Sequence, residues 1–240
     1  MSTILESQQK SKRRPLLLTK IAKPRIENDQ SYPMIKRVLE LAVCIALLPM
    51  LLCLIAIIAA AITLDSPGSP FFIQERVGKD GRRFWMYKFR TLRQDYDNCE
   101  HRAYMQAFVL GQNDVRVNRI GHNTFKPPFH NSITRVGSIL RKTSLDELPQ
   151  IFNVLKGDMS LIGPRPNVIW EVEKYKDWHY ERLKVLPGIT GLAQVRGRSS
   201  ITFDDIVMND LEYIEKQSLK VDLQILLWTM LAVLGRKGVG

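Results

Sequence analysis

Two adjacent carboxylates, Asp146 and Glu147, stand in the stretch TSLDELPQ (143–150), between the basic run RVGSILRK and the turn Gly163-Pro164-Arg165-Pro166. Ser144 and Glu147 have the spacing of a helix capping box. Pro149 would then fall at the fifth helical position, where its missing N–H costs a hydrogen bond. A helix beginning at Asp146 or Glu147 moves the proline into the tolerated first turn. Both acids then lie at the positive end of the helix, where anions are stabilised and phosphate can bind. Capping explains one acid and leaves the second over. Arginines flank the pair: Arg135 and Arg141 before it, Arg165 in the GPRP turn, Arg198 in PGITGLAQVRGR. Prolines on both sides of Arg165 restrict its backbone, and a guanidinium can hold phosphate oxygens bidentately. The glycines of PGITG would let backbone approach an anion closely. The chemistry within reach of such a set is phosphoryl transfer. A carboxylate beside cations stays ionised and can attack phosphorus to give an acyl phosphate. A hard divalent ion such as Mg²⁺, held by one or two carboxylates and the substrate's phosphates, would offset the repulsion between nucleophile and diphosphate, while arginines stabilise the equatorial oxygens.

The chain that must position these groups has 240 residues, enough for one domain with appendages and a real core. Its 35 Lys and Arg against 24 Asp and Glu leave a formal charge of +11, which directs attention to nucleic acid, anionic lipid or phosphorylated substrates. Cys44, Cys53 and Cys99 show neither metal-ligand spacing nor a disulfide framework, so a reduced, cytoplasm-facing protein is expected. From Leu41 to Leu64 there is no charged residue. The run is roughly 36 Å long as a helix, against a hydrocarbon core of ~30 Å. The polar residues preceding it are too many for a secretory signal. Pro49 lies inside it, and cations flank both ends: Lys10, Lys12, Arg13, Arg14, Lys36 and Arg37 before, Arg76, Lys79, Arg82, Arg83, Lys88 and Arg90 after. The positive-inside rule places both flanks in the cytoplasm, which a single crossing cannot satisfy. A helix that enters, breaks near Pro49 and returns can do so, with arms of roughly 12 and 22 Å. An ordinary kinked transmembrane helix is the alternative.

Three regions follow: a basic arm at 1–33, the re-entrant membrane helix at 34–64 and a cytoplasmic catalytic domain at 65–240. In the last, Asp80-Gly81 predicts a β-hairpin with alternating residues from Phe84 to Tyr87. Helical pattern is read at 93–110, 136–142, 147–156, 168–186, 203–217 and 219–234, with a Gly/Asn/Pro-rich loop at 111–131 and turns at GPRP and PGITG. The segments at 168–186 and 219–234 are amphipathic, suited either to the headgroup layer or to the protein core. The fold class is therefore α+β, mostly helical, in a monotopic membrane protein with a short hairpin and amphipathic interfacial helices.

These motifs resemble the monotopic phosphoglycosyl transferases, also called bacterial sugar transferases. The matching pieces are Lys36-Arg37, QERVGKDGRRFWMYKFRT, ITRVGSILRKTSLDELPQIFNVLKGDMSLIGPRP, LPGITGLAQVRGR and DLEYIEKQSLKVDLQIL, in order from residue 36 to about 230. The resemblance implies a helix that re-enters at a proline, Asp146 as nucleophile, and Glu147 as its partner at Mg²⁺, the two carboxylates together forming the metal site. It also implies substrate binding by Lys88 and Arg90 of the Lys-Phe-Arg motif, by Arg141 and Arg165, and by Arg198 at the nucleotide. The implied reaction moves a sugar 1-phosphate, of a hexose such as galactose or glucose, from a UDP-sugar to undecaprenyl phosphate and releases UMP. It is a ping-pong route that opens synthesis of exopolysaccharide, capsule, O-antigen or a glycoprotein glycan. The partners are then UDP-sugar, undecaprenyl phosphate and the anionic bilayer, with the catalytic domain on the cytoplasmic face of the bacterial inner membrane; a homodimer is compatible with the sequence. Against the family pattern the chain has Leu48 before Pro49 instead of Ser, Glu40 instead of Asp, Ala193 instead of Trp, and Arg196 instead of Ser or Asn. A non-catalytic membrane scaffold would show damage at the acid pair or the GPRP turn, and neither is damaged. The apolar run argues against a nucleic-acid binder.

Overall fold

The computed structural model describes residues 31–93, 99–111, 132–197 and 201–235; the arm up to residue 30, residues 112–131 of the expected loop, and Arg198 lie outside the described residues. Helix α1 (Ser31–Asp65) is about 52 Å long and is long and apolar enough to cross a membrane. Its buried positions Glu40, Cys44, Ile55, Ile58 and Ile62, with Leu51 and Leu54 half-buried, recur at helical spacing and form one stripe against the rest of the protein. The other faces expose Val43, Ile45, Leu47, Met50, Leu52, Ile57 and Leu64. Helical assignment continues through Pro49, which is exposed on the far side from the stripe. The helix begins at Ser31, inside the region read as a free arm, because the Tyr32 hydroxyl donates to Asp222 Oδ2 at 2.8 Å.

The predicted hairpin is present. Strands β1 (Phe71–Val77) and β2 (Arg83–Phe89) pair antiparallel across a turn in which Asp80 and Gly81 both have positive φ, 55° and 75°. Helices α2 (Cys99–Val109) and α3 (Arg135–Thr143) follow. The segment 145–156 is an expected helix in a different form: a 3₁₀ helix (Leu145–Gln150) runs into helix α4 (Ile151–Lys156). A main core joins α1 to the hairpin, α3 and α4 through Phe84, Met86, Phe89, Leu140, Ile151 and Val154. Asn153 clips α4 to the hairpin, its Oδ1 accepting from Tyr87 N at 3.1 Å and its Nδ2 donating to Trp85 O at 2.7 Å.

Two sequence expectations are corrected. PGITG is more than a turn: Gly188–Thr190 forms strand β4, parallel to β3 (Ser160–Ile162). The cause is steric, since a Cβ on Gly188 would lie 2.1 Å from Gly163 N, so only glycine lets the two segments meet. The single helix read at 168–186 is instead the short helix α5 (Ile169–Val172) and a 3₁₀ helix (Asp177–Lys184). Its residues answer to tertiary partners. Tyr175 and Trp178 pack into a second core with Phe108, Phe203 and Val207, His179 Nδ1 accepts from Lys176 N, and buried Arg182 ion-pairs with Asp210 at 2.6 Å. The chain closes with helices α6 (Leu192–Arg196), α7 (Phe203–Glu215) and α8 (Leu219–Leu234). Helix α8 buries Asp222 and Ile225 and exposes Leu223, Leu227, Trp228, Met230 and Leu231. That pattern is the reverse of a soluble surface helix.

Candidate active site

The 3₁₀ segment sets the acids apart. With three residues per turn, Leu145 and Leu148 share one face, Asp146 and Pro149 the next, Glu147 and Gln150 the third. Both leucines pack on the main core, so the two carboxylates leave the 3₁₀ segment on its other two faces, close enough for the Glu147 charge to act on Asp146. Ser144, at φ 57°, ends α3 in a left-handed conformation, and its side chain makes no capping bond. The capping box suggested by Ser144 and Glu147 does not form. Glu147 is engaged elsewhere.

Glu147 Oε1 accepts from Lys88 Nζ at 2.9 Å and from Arg165 Nη2 at 2.6 Å, with Arg165 Nη1 at 3.4 Å from Oε2. Asp146 accepts no hydrogen bond and makes no ion pair among the described residues, although Lys88, Arg165 and Arg141 all act on its charge. The two acids consequently differ. Burial would raise the Glu147 pKa, but Arg165 and Lys88 outweigh it and hold the carboxyl below the usual carboxylate range. Burial pushes Asp146 up, the Glu147 charge adds to this, and the three cations pull it back only in part. Lys88 is drawn down by burial, against the pull of Glu147. Adjacent titratable groups pushed apart in this way mark a site where the two play different parts.

The supports of Arg165 explain its position. Gly163 N donates to Thr190 O and Gly188 N to Pro164 O, both at 2.9 Å, so the GPRP turn is pinned to β4. The glycines of PGITG admit this backbone, where the sequence suggested an anion. Arg182 Nη2 donates to Arg165 O at 3.1 Å, and Arg76 Nη1 to Pro166 O at 3.1 Å. Arg76 was read only as a flanking cation. It is half-buried, desolvation lowers its pKa to about 10, and it feels both Arg165 and Glu147. The first turns of α1 grip strand β3, which leads into that turn: Lys36 Nζ donates to Ile162 O at 2.8 Å, and Glu40 accepts from Ser160 Oγ at 2.5 Å and Leu161 N at 3.0 Å.

Of the sequence-predicted residues, the structure brings Asp146, Glu147, Lys88, Arg141 and Arg165 together; Arg141 Nε also donates to Thr91 Oγ1 at 2.8 Å. Arg90 turns away, donating to Ser66 O at 2.7 Å and to Pro67 O, and so ties the end of α1 to β2. Arg135 is exposed at the start of α3. Arg196 is paired with Glu212, Nη2 to Oε1 at 3.1 Å, and bonds Asn209 at 3.0 Å. Gln150, on the Glu147 face, is buried with its Nε2 unbonded, a feature that sequence reasoning did not flag. Among the described residues there is no cluster of three metal-ligating side chains. The acid pair suits a divalent ion that arrives with phosphate oxygens, one unpaired carboxylate being at hand and Mg²⁺ taking few ligands from protein.

A carboxylate with no hydrogen bond among the described residues, beside a second one clamped by lysine and arginine, stands on a domain joined to a helix long and apolar enough to cross a membrane; the class is a membrane-associated protein of the sugar transferase type. The chain belongs to the bacterial sugar transferase family, whose profile matches residues 31–236. It is 41% identical over 191 residues to the galactosyl transferase CpsE of Streptococcus agalactiae, covering 79% of this chain and 40% of that protein. It is 38% identical over 220 residues to the UDP-glucose:undecaprenyl-phosphate glucose-1-phosphate transferase of Xanthomonas campestris, covering 88% of this chain and 41% of that protein. The sugar transferase EpsL of Bacillus subtilis, 35% identical over 205 residues, is covered to 90% of its length. The chain thus spans well under half of the first relatives and most of the last.

Proposed function

We propose that this chain transfers a hexose 1-phosphate, galactose or glucose, from a UDP-sugar to undecaprenyl phosphate, giving undecaprenyl-diphospho-sugar and UMP. The observation that carries this is the unpaired Asp146 carboxylate next to Glu147 held by Lys88 and Arg165. An Asp146 oxygen attacks the phosphorus attached to the sugar. The bond from that phosphorus to the bridging oxygen breaks, and UMP leaves with the electron pair. An oxygen of undecaprenyl phosphate then attacks the same phosphorus and frees the Asp146 carboxylate. Lys88, Arg141 and Arg165 take the charge on the phosphoryl oxygens, and Arg198 contacts the nucleotide. Arg90 acts by holding the loop after α1. Asp146 and Glu147 would hold Mg²⁺ together with the substrate's phosphates, and the ion supplies charge neutralisation. Names of relatives support the donor and acceptor: a glucose 1-phosphate transferase, and an undecaprenyl-phosphate galactose phosphotransferase of Salmonella typhimurium.

We further propose that helix α1 is a re-entrant anchor with both ends on the cytoplasmic face. The support is that both ends bond to the same body: Arg37 Nη2 to Leu155 O and Glu40 to Leu161 N at one end, Asp65 Oδ2 to Val136 N and Ser66 to Arg90 at the other. Pro49, on the face away from that body, favours a bend toward it, since a proline kink opens the helix on its own side. The exposed apolar face of α8 rests in the headgroup layer. The test is UMP release from a panel of UDP-sugars with undecaprenyl phosphate: UDP-galactose or UDP-glucose supports it, Asp146→Asn and a chelator each stop it. Turnover by Asp146→Asn at the wild-type rate removes the mechanism.

A further inference from the structure

The hairpin face that carries Lys88 ends in an open aromatic. Directly opposed residues of an antiparallel pair project to one side, so Phe72 with Lys88, Gln74 with Met86 and Arg76 with Phe84 share a face. Phe84 and Met86 are buried, Lys88 is paired with Glu147, and Arg76 bonds Pro166 O. Phe72, 46% exposed, is the large apolar residue of this face left open. The next residue of that face along β2 is Arg90, which binds Ser66 and Pro67 just past the end of α1. Phe72 therefore lies on the strand pair between the residues that hold the end of α1 and Lys88 at the acid pair.

An acceptor with a phosphate head and a long isoprenoid tail must keep its tail in lipid while the head reaches Asp146. We infer that Phe72 holds the isoprene units next to the acceptor's phosphate and so helps to select a polyprenyl phosphate; this rests on the function proposed above. The cross-strand spacing of about 5 Å lets one ligand touch both groups, phosphate on the Lys88 ammonium and hydrocarbon on the Phe72 ring. The tie of this end of the hairpin to the end of the long apolar helix, through Arg90 to Ser66 and Arg90 N to Pro70 O, favours a tail coming from the bilayer over a soluble partner.

In a ping-pong reaction kcat/KM for the donor and for the acceptor report separate half-reactions, so the role can be read on its own. With Phe72→Ser, kcat/KM for undecaprenyl phosphate should fall about tenfold further than kcat/KM for the UDP-sugar, the loss of one buried aromatic contact. Phe72→Leu, which keeps the apolar contact, should recover most of that difference. Equal losses for both substrates in Phe72→Ser, or a Phe72→Leu variant that keeps the full difference of Phe72→Ser, would overturn the inference. So would an unchanged acceptor value accompanied by weaker binding to vesicles, which would assign Phe72 to bulk lipid. If the wild-type chain releases no UMP from any UDP-sugar, the function itself falls and this role with it; intact UMP release with an unchanged acceptor value sinks this role alone.

Discussion

At the scale of single residues, the site turns on unequal treatment of two neighbours. Glu147 takes the hydrogen bonds of Lys88 and Arg165, and Asp146 takes none among the described residues. Asp146, the nucleophile of the mechanism proposed above, is thereby left without a clamp at the cost of being buried as a charge. Asp146 must be ionised to attack, so the donor half-reaction is lost as pH falls through its raised pKa, above the ordinary Asp value of about 3.9. Lys88 is the leading cation lowering that pKa. Lys88→Met should therefore move the acid limb of kcat/KM for the UDP-sugar to higher pH, besides lowering the rate. A limb that stays in place, or moves down, would show that a different group titrates.

Elements enter through what they hold in place. Arg165 owes its position to the back-to-back turns GPRP and PGITG, which meet because Gly163 and Gly188 have no side chains. Gly188→Ala would force a Cβ to within 2.1 Å of Gly163 N, and backbone cannot swing aside as a side chain can. Overpacking of this kind costs about 1–3 kcal/mol. A lower thermal midpoint and slower UMP release should appear together, because the same displacement moves the Arg165 guanidinium off Glu147. A stable but slow variant would place the two turns outside the fold's support and only within the site's. Arg76 and Arg182 hold carbonyls of the same turn, which accounts for one half-buried and one buried guanidinium group in a small domain.

For the whole molecule the question is how the domain meets the bilayer. Helix α1 is tied to one body at both ends, and α8 turns leucines, methionine and tryptophan outward. With both flanks of α1 on one face, cysteines introduced near residues 30 and 75, in a chain whose own cysteines have been replaced, should share one pattern of labelling by a membrane-impermeant reagent. Opposite patterns would establish a true crossing and would leave the contacts of one end of α1 without their partners. The relatives that are covered to only 40% and 41% carry further chain that this sequence does not match, whereas the relative from Bacillus subtilis is nearly all matched, so the matched unit recurs in chains of different extent.

The sequence by itself determined what depends on local spacing and composition. The acid pair, the GPRP arginine, the Asp-Gly hairpin and the apolar helix are each written in consecutive residues, and the helices read at 136–142, 203–217 and 219–234 stand within two residues of α3, α7 and α8. Only the tertiary structure decided which cation serves which acid. Arg90 and Lys88 are two residues apart with the same charge, yet one binds the loop after α1 and the other binds Glu147, because partners far along the chain choose between them. The same holds for 168–186: its helical pattern gave way once Arg182, His179 and Tyr175 each found a partner in α7. Local propensity is worth tenths of a kcal/mol per residue, while an unpaired buried charge costs several, so long-range pairing overrules it wherever the two disagree.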